Sequence, residues 1–169
     1  IETVTTDEKR KSSTGAIKAV ELYHGETYYA RDEKLGWSKA GFNDASWKGV
    51  TLSQYDLSNV VATENEPVKK HETFKAIKVI TTPLGEKVLD FGQNLVGWVV
   101  VKATGKAGDQ IVIKHAEILD KKVNFYTENL RAAKATATYI LKGSAAETFE
   151  PHFTFYGFRY IKIENYPGE

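Results

Sequence analysis

The sequence predicts an all-β protein, an antiparallel β-sandwich or jelly roll, with a short N-terminal extension from a preceding β domain. Three observations predict it. From about residue 68 onward, short runs of alternating apolar residues are separated by turn clusters of Gly, Pro, Asn or Asp. Nine Tyr, eight Phe and three Trp supply many flat rings, and rings favour strands. No segment carries the apolar period of a three-turn helix, and no internal repeat is present. A chain of 169 residues buries roughly 70% of its unfolded surface, so it needs no disulfide or metal to hold a core.

Residues 1–14 are polar and charged and read as a weak edge strand or a frayed start. After Gly15, the run AIKAVELY fits helix or strand, because its periodicity does not separate them. Residues 36–47 (GWSKAGFNDASW) read as a loop. Two Gly and the Asn43–Asp44 pair favour turns there, and Trp47 anchors a short turn into a strand. Residues 56–67 have linker features, and Pro67 pushes Glu66 towards an extended backbone. The chain therefore divides into a segment with linker over 1–66 and a sandwich domain over 67–169.

In the second segment, HETFKAIKVITT alternates, PLGE turns, KVLDF forms a strand, and GWVVVKATG forms another before the KAGDQ hairpin. QIVIKHAEIL places Ile111, Ile113, His115 and Glu117 on one face and Val112, Lys114, Ala116 and Ile118 on the other. DKKVNFYTENLRAAKA is the longest interruption. TATYIL, a GSAAE turn and FTFYGFRYIKI complete the pattern. In that last run Phe153 and Phe155 are expected in the core, Gly157 at a bulge, and Tyr156 or Tyr160 at the surface.

Composition excludes several functions. With 23 Lys+Arg against 22 Asp+Glu the net charge is +1, which is no nucleic-acid footprint. The absence of Cys removes thiolate metal sites, thiol nucleophiles and disulfides. No apolar run reaches the ~18 residues of a membrane span. The residues present do not open as a signal peptide. Met is missing even from position 1, so the chain is expected to be a processed product or a piece of something longer. H-E-x-x-H, EF-hand, P-loop, G-x-G-x-x-G and G-x-S-x-G patterns are all missing.

What remains is a short set of candidates. In DFGQNLVGW, Gln93 and Asn94 either grip a sugar or a metal-binding carbonyl, or serve a bulged turn between two strands. Asp90, facing a core, needs a cation such as Arg131 or Arg159. His115 and Glu117 share a strand face, the spacing of a metal or proton-transfer pair, but Ile111 and Ile113 on that face point to a core edge. Glu128, Asn129 and Arg131 suit a polyol, and equally suit a clamp from loop to sheet.

Several strings together carry a resemblance. GETYYAR, GWSKAGFNDASWKGV, VLDFGQNLVGWVVV, GDQIVIKHAEIL, NFYTENLRAAKATATY and FEPHFTFYGFRYIKIENYPGE, in this order and spacing, resemble the bacterial α-L-rhamnosidases of glycoside hydrolase family 78. The resemblance implies a concanavalin-like fold for residues from about 68. It implies the tail of an amino-terminal, carbohydrate-binding-type domain before about 56. It also implies a parent enzyme that inverts terminal α-L-rhamnosides with acids on an (α/α)6 barrel. Such chemistry needs carboxylates roughly 6.5–9.5 Å apart around a water, and no helical hairpins are read here. The chain is thus expected to be a non-catalytic β-sandwich region preceding the barrel, with no catalytic residues, cofactor or metal of its own.

That parent barrel is the expected partner, and Trp37, Trp47 or Tyr156 would form the docking strip. The alternative is a carbohydrate-binding module for rhamnose-containing glycans, with contacts at Tyr28, Tyr29, Arg31, Trp37, Asn129 and Arg131. Calcium, implied for some relatives, loses a ligand here. Tyr29 stands where the resemblance places an acid in Y-D-A-R, and Ala137 stands where Asp is usual.

Overall fold

The structure, a computed structural model, describes residues 4–168. Thirteen strands follow in chain order. They are β1 (Lys11–Ser12), β2 (Ile17–Glu21), β3 (Gly25–Tyr29), β4 (Lys48–Gly49), β5 (Lys78–Thr81), β6 (Lys87–Gly97), β7 (Val101–Ala103), β8 (Gln110–Ala116), β9 (Ile118–Leu119), β10 (Phe125–Tyr126), β11 (Thr136–Ile140), β12 (Glu147–Phe149) and β13 (Tyr156–Glu164). The described residues contain no α-helix, only 3-10 turns at Ala30–Asp32 and Glu128–Leu130. The undecided run AIKAVELY is therefore strand, β2. Of the expected start over 1–14, residues 1–3 lie outside the described residues.

The chain forms two units, one of residues 1–14 and 34–73 and the other of 15–33 and 74–169. The sequence division at residue 66 and this spatial division differ over 67–73, which fall in the smaller unit, and over 15–33, which supply β2 and β3 to the larger unit. In the smaller unit β1 pairs antiparallel with β4. Lys11 bridges to Asp44 at 2.8 Å, and Trp47 packs edge-on against Phe42. The Asn43–Asp44 turn is closed by Ala45 N–H donating to Asn43 Oδ1 and Trp47 N–H donating to the Asp44 carbonyl.

The larger unit is one seven-stranded sheet in the order β2-β3-β11-β8-β13-β6-β5, with the two-stranded ribbons β12-β7 and β10-β9. Every pairing is antiparallel except β3 with β11, which run parallel. The core follows the alternation. On β8, Ile111, Ile113 and His115 are buried while Val112 and Lys114 are half-buried. Ile111 and Ile113 share a cluster with Ala137 and Tyr139 of β11, to which the β12-β7 ribbon adds Val101, Ala103 and Phe149. A second cluster gathers Tyr156, Phe158 and Ile161 of β13 against Leu89, Phe91 and Leu95 of β6. This is the two-layer arrangement that a sheet with one apolar face requires.

Three local expectations are corrected. First, KVLDF and the residues after it are not two strands around a turn. β6 runs unbroken from Lys87 to Gly97, and the irregularity is a wide bulge inside it. Asp90 pairs with Tyr160 and Leu95 with Phe158, so Phe91, Gly92, Gln93 and Asn94 stand opposite Arg159 alone. Gly92 takes φ +80° there. Second, the β13 irregularity falls at Arg159, not Gly157. Third, Phe153 and Phe155 are outside the core, 69% and 36% exposed, while Tyr156 is buried. Pairing in that run begins only at Tyr156. The preceding residues are a loop held by other bonds, so strand alternation does not extend back through them.

Candidate functional site

The six expected sugar contacts fall in different settings. Tyr28 and Tyr29 end β3. Arg31 lies in the 3-10 turn after it and is exposed, and Asn129 and Arg131 lie in the exposed turn between β10 and β11. Trp37, 63% exposed, belongs to the smaller unit. Tyr28 is already engaged on its ring. His152 stacks on it nearly parallel at 5.4 Å, and Tyr139 and Phe149 pack at 5.8 and 5.7 Å. Its hydroxyl donates to Glu33 Oε1 at 3.1 Å. Burial, with the Glu33 carboxylate beside it, pushes the Tyr28 hydroxyl up to about 12.

Tyr29 lies under Lys18, whose Nζ is 5.8 Å from the ring centre and 2.6 Å from Asp32. Tyr29 brings no carboxylate, and the nearby Asp32 already faces an ammonium, where a hard cation needs several oxygens. Among the described residues, no group of three or more His, Asp or Glu is placed to hold a metal.

Asn129 and Asn94 do converge. Both side-chain amides donate at 3.4 Å to Glu117, Asn129 to Oε2 and Asn94 to Oε1. Through these two bonds Glu117 ties the β10–β11 turn to the bulge of β6. Arg131 makes no side-chain bond in this trio. It sits at φ 55°, ψ −116°, a strained backbone for a residue with a Cβ.

His115 and Glu117 do not assemble a proton-transfer pair. His115 is buried, its Nδ1 lies 2.7 Å from the Ala135 carbonyl, and its ring stacks on Tyr156 at 3.9 Å. Burial drops its pKa to about 4, so near neutral pH it is an uncharged core ring.

Four acidic groups that the sequence did not mark turn out to organise the sheet. Glu26 of β3 is fully buried and receives the His152 and Phe153 N–H groups. Glu147 receives the Tyr139 hydroxyl and three backbone N–H groups. Glu86 and Glu164 flank Lys162 at 2.7 and 3.1 Å, and Lys162 also lies over the Phe125 ring. Asp90, whose need for a cation was legible, is gripped by Arg159 at 2.9 and 3.1 Å. Glu26 stands between Gly25 and Thr27, and nothing in that local run marked it for burial.

The ionisation of Glu86, Asp90, Glu147 and Glu164 runs one way. Arg159 holds Asp90 below the usual carboxylate range. Burial opposes the charged forms of Glu86, Glu147 and Glu164, yet their bonded donors outweigh it and all three also titrate low. A general acid needs the opposite shift.

Comparison with known proteins completes the description. Residues 80–169 match the bacterial alpha-L-rhamnosidase concanavalin-like domain, and residues 1–72 match the alpha-L-rhamnosidase N-terminal domain. An alpha-L-rhamnosidase of Streptomyces avermitilis is 41% identical over 99% of this chain, which spans 16% of that protein. One from Formosa agariphila is 33% identical over 96% of the chain and 18% of its own length. Among solved structures, the S. avermitilis alpha-L-rhamnosidase complexed with L-rhamnose superimposes with a TM-score of 0.91, over 99% of this chain and 16% of that one. The enzyme from Dictyoglumus thermophilum superimposes at 0.90, with 37% identity, 98% of this chain and 19% of that one. The chain thus spans less than a fifth of the relatives it matches.

Proposed function

The chain belongs to the bacterial α-L-rhamnosidase family, and from that premise we propose that it is the non-catalytic β-sandwich region of an enzyme cleaving terminal α-L-rhamnosides, packed on and supporting the parent's helical catalytic barrel. The observation that carries this reading is one of proportion. A match along nearly the whole chain occupies only 16% of the S. avermitilis enzyme.

The side chains agree with a supporting role. Inverting hydrolysis asks for a protonated acid and a base roughly 6.5–9.5 Å apart with water between them. Glu26, Glu86, Asp90, Glu147 and Glu164 are instead committed to backbone N–H groups, Lys or Arg. The four with shifted ionisation are held as carboxylates, the wrong state for protonating a leaving oxygen.

The test compares the 169-residue chain with the full-length protein carrying it on an aryl α-L-rhamnoside. Release of the aryl group is expected from the full-length protein alone, and turnover by the purified 169-residue chain overturns the reading. Titrating the chain with L-rhamnose under tryptophan fluorescence is expected to give no saturable change. Saturation would favour sugar binding instead.

A further inference from the structure

Glu26 is an expensive residue. Its side chain is fully buried, and a buried carboxylate is tolerated only when its bonds are made. All of those bonds go to one loop. It accepts His152 N–H at 2.8 Å and Phe153 N–H at 3.3 Å, and faces His152 Nδ1 at 3.1 Å. Tyr28 stacks flat on the same imidazole. One residue further on, the buried Thr154 donates its hydroxyl to the Leu22 carbonyl at 3.3 Å. The loop is thereby fastened to the β2–β3 hairpin.

What this fastening holds in place is apolar surface in water. Phe153 and Phe155 are exposed on the loop. The hairpin beside them exposes Leu22 at 45% and Tyr23 at 68%, with Val20 behind at 43%. Rings carried on a backbone fixed before contact need no loop ordering on binding, which suits an anchor. Adjacent exposed apolar side chains of this kind mark an interaction site.

We infer that this knob, the loop His152–Phe155 with the hairpin turn Leu22–Tyr23, is the seat against which the remainder of a full-length rhamnosidase chain packs. The inference rests on the reading above that this region packs on the rest of its parent, and it names the surface. The occupant follows from two magnitudes. Over four-fifths of each relative lies outside the stretch this chain matches, so a covalently joined neighbour stands at high effective concentration. The patch offers on the order of 500 Å² if ring-sized side chains bring 150–250 Å² each. That falls short of the roughly 800 Å² per partner of a stable free dimer, but is enough for a tethered neighbour.

Hydroxyl-radical footprinting of the full-length protein tests this. If the knob is seated, Tyr23, Phe153 and Phe155 oxidise at least about fivefold more slowly in the native chain than in the same chain unfolded, because interface cores exclude water. In the full-length F153S/F155S variant, whose replaced rings are not core, the oxidation of Tyr23 is expected to rise towards its unfolded rate. Rings that label within about twofold of the unfolded rate, as their exposure here would give, overturn the inference. Intramolecular cross-linking separates the two failures. Cross-links between this segment and the rest of the chain, alongside freely labelled rings, overturn the surface but leave the packing. No cross-links at all overturn both. Protection that appears only with added L-rhamnose overturns the inference in favour of sugar contact.

Discussion

Glu147 accepts the Tyr139 hydroxyl at 2.7 Å and the N–H groups of Lys142, Gly143 and Ser144 at 2.8–3.1 Å, so one carboxylate closes the whole turn between β11 and β12. Replacing it with Ala leaves the buried Tyr139 hydroxyl and the three N–H groups of the turn without that acceptor, and Glu147→Ala is expected to cost about 3 kcal/mol in urea unfolding, Glu147→Gln less. His115 makes a second prediction at this scale. Its folded pKa is about 4 against an ordinary value of 6.5. The unfolded chain therefore binds its proton first, and stability that is complete above pH 6.5 is lost as pH falls towards 4. The loss approaches about 3 kcal/mol at the lower limit. Urea midpoints across that window should fall with pH, while the His115 ring resonances stay in their neutral form down to about pH 5. At this scale the sequence was readable where charge demanded a partner, as with Asp90 and Arg159. It was silent where a side chain serves distant backbone, as with Glu26 and Glu147, because nothing local says which N–H groups will arrive.

Among the elements, β8 was legible because Ile111, Ile113 and His115 on one strand face are buried while Val112 and Lys114 on the other are half-buried, that face closing only at Ala116. The run from Phe153 to Phe155 was misread for the complementary reason. Alternating rings look the same whether a strand or a bolted loop carries them, and here the bolt is Glu26. The parallel pairing of β3 with β11 had no local sign either. It depends on a close approach at Gly25, where φ is +109° and an added Cβ would run into the Thr136 carbonyl oxygen. Gly25→Ala should cost more than about 3 kcal/mol, visible as lost soluble protein or a non-native circular dichroism spectrum. Gly92→Ala, at φ +80° with only the tip of Ile77 in its way, should cost about 1–2 kcal/mol in a thermal melt.

For the whole molecule, fold class and family were both readable, the first from strand spacing and ring content, the second from strings running nearly end to end. Of the rings expected to form a docking strip, Trp37 is exposed, Tyr156 is core, and Trp47 is half-buried against Phe42. Exposure is a property of the finished sheet, and a sequence pattern reports it only where pairing is regular.

The place of β2 and β3 in the sheet also constrains synthesis. Thr27 must wait for Thr138 to emerge from the ribosome before their strands can join, with the smaller unit's main segment made in between. Until then the hairpin is an orphan with its hydrogen-bonding edge open, and contacts so far apart in sequence form slowly. Expression trimmed to the later strands alone would leave β11 with that same raw edge, an invitation to stick to its neighbours.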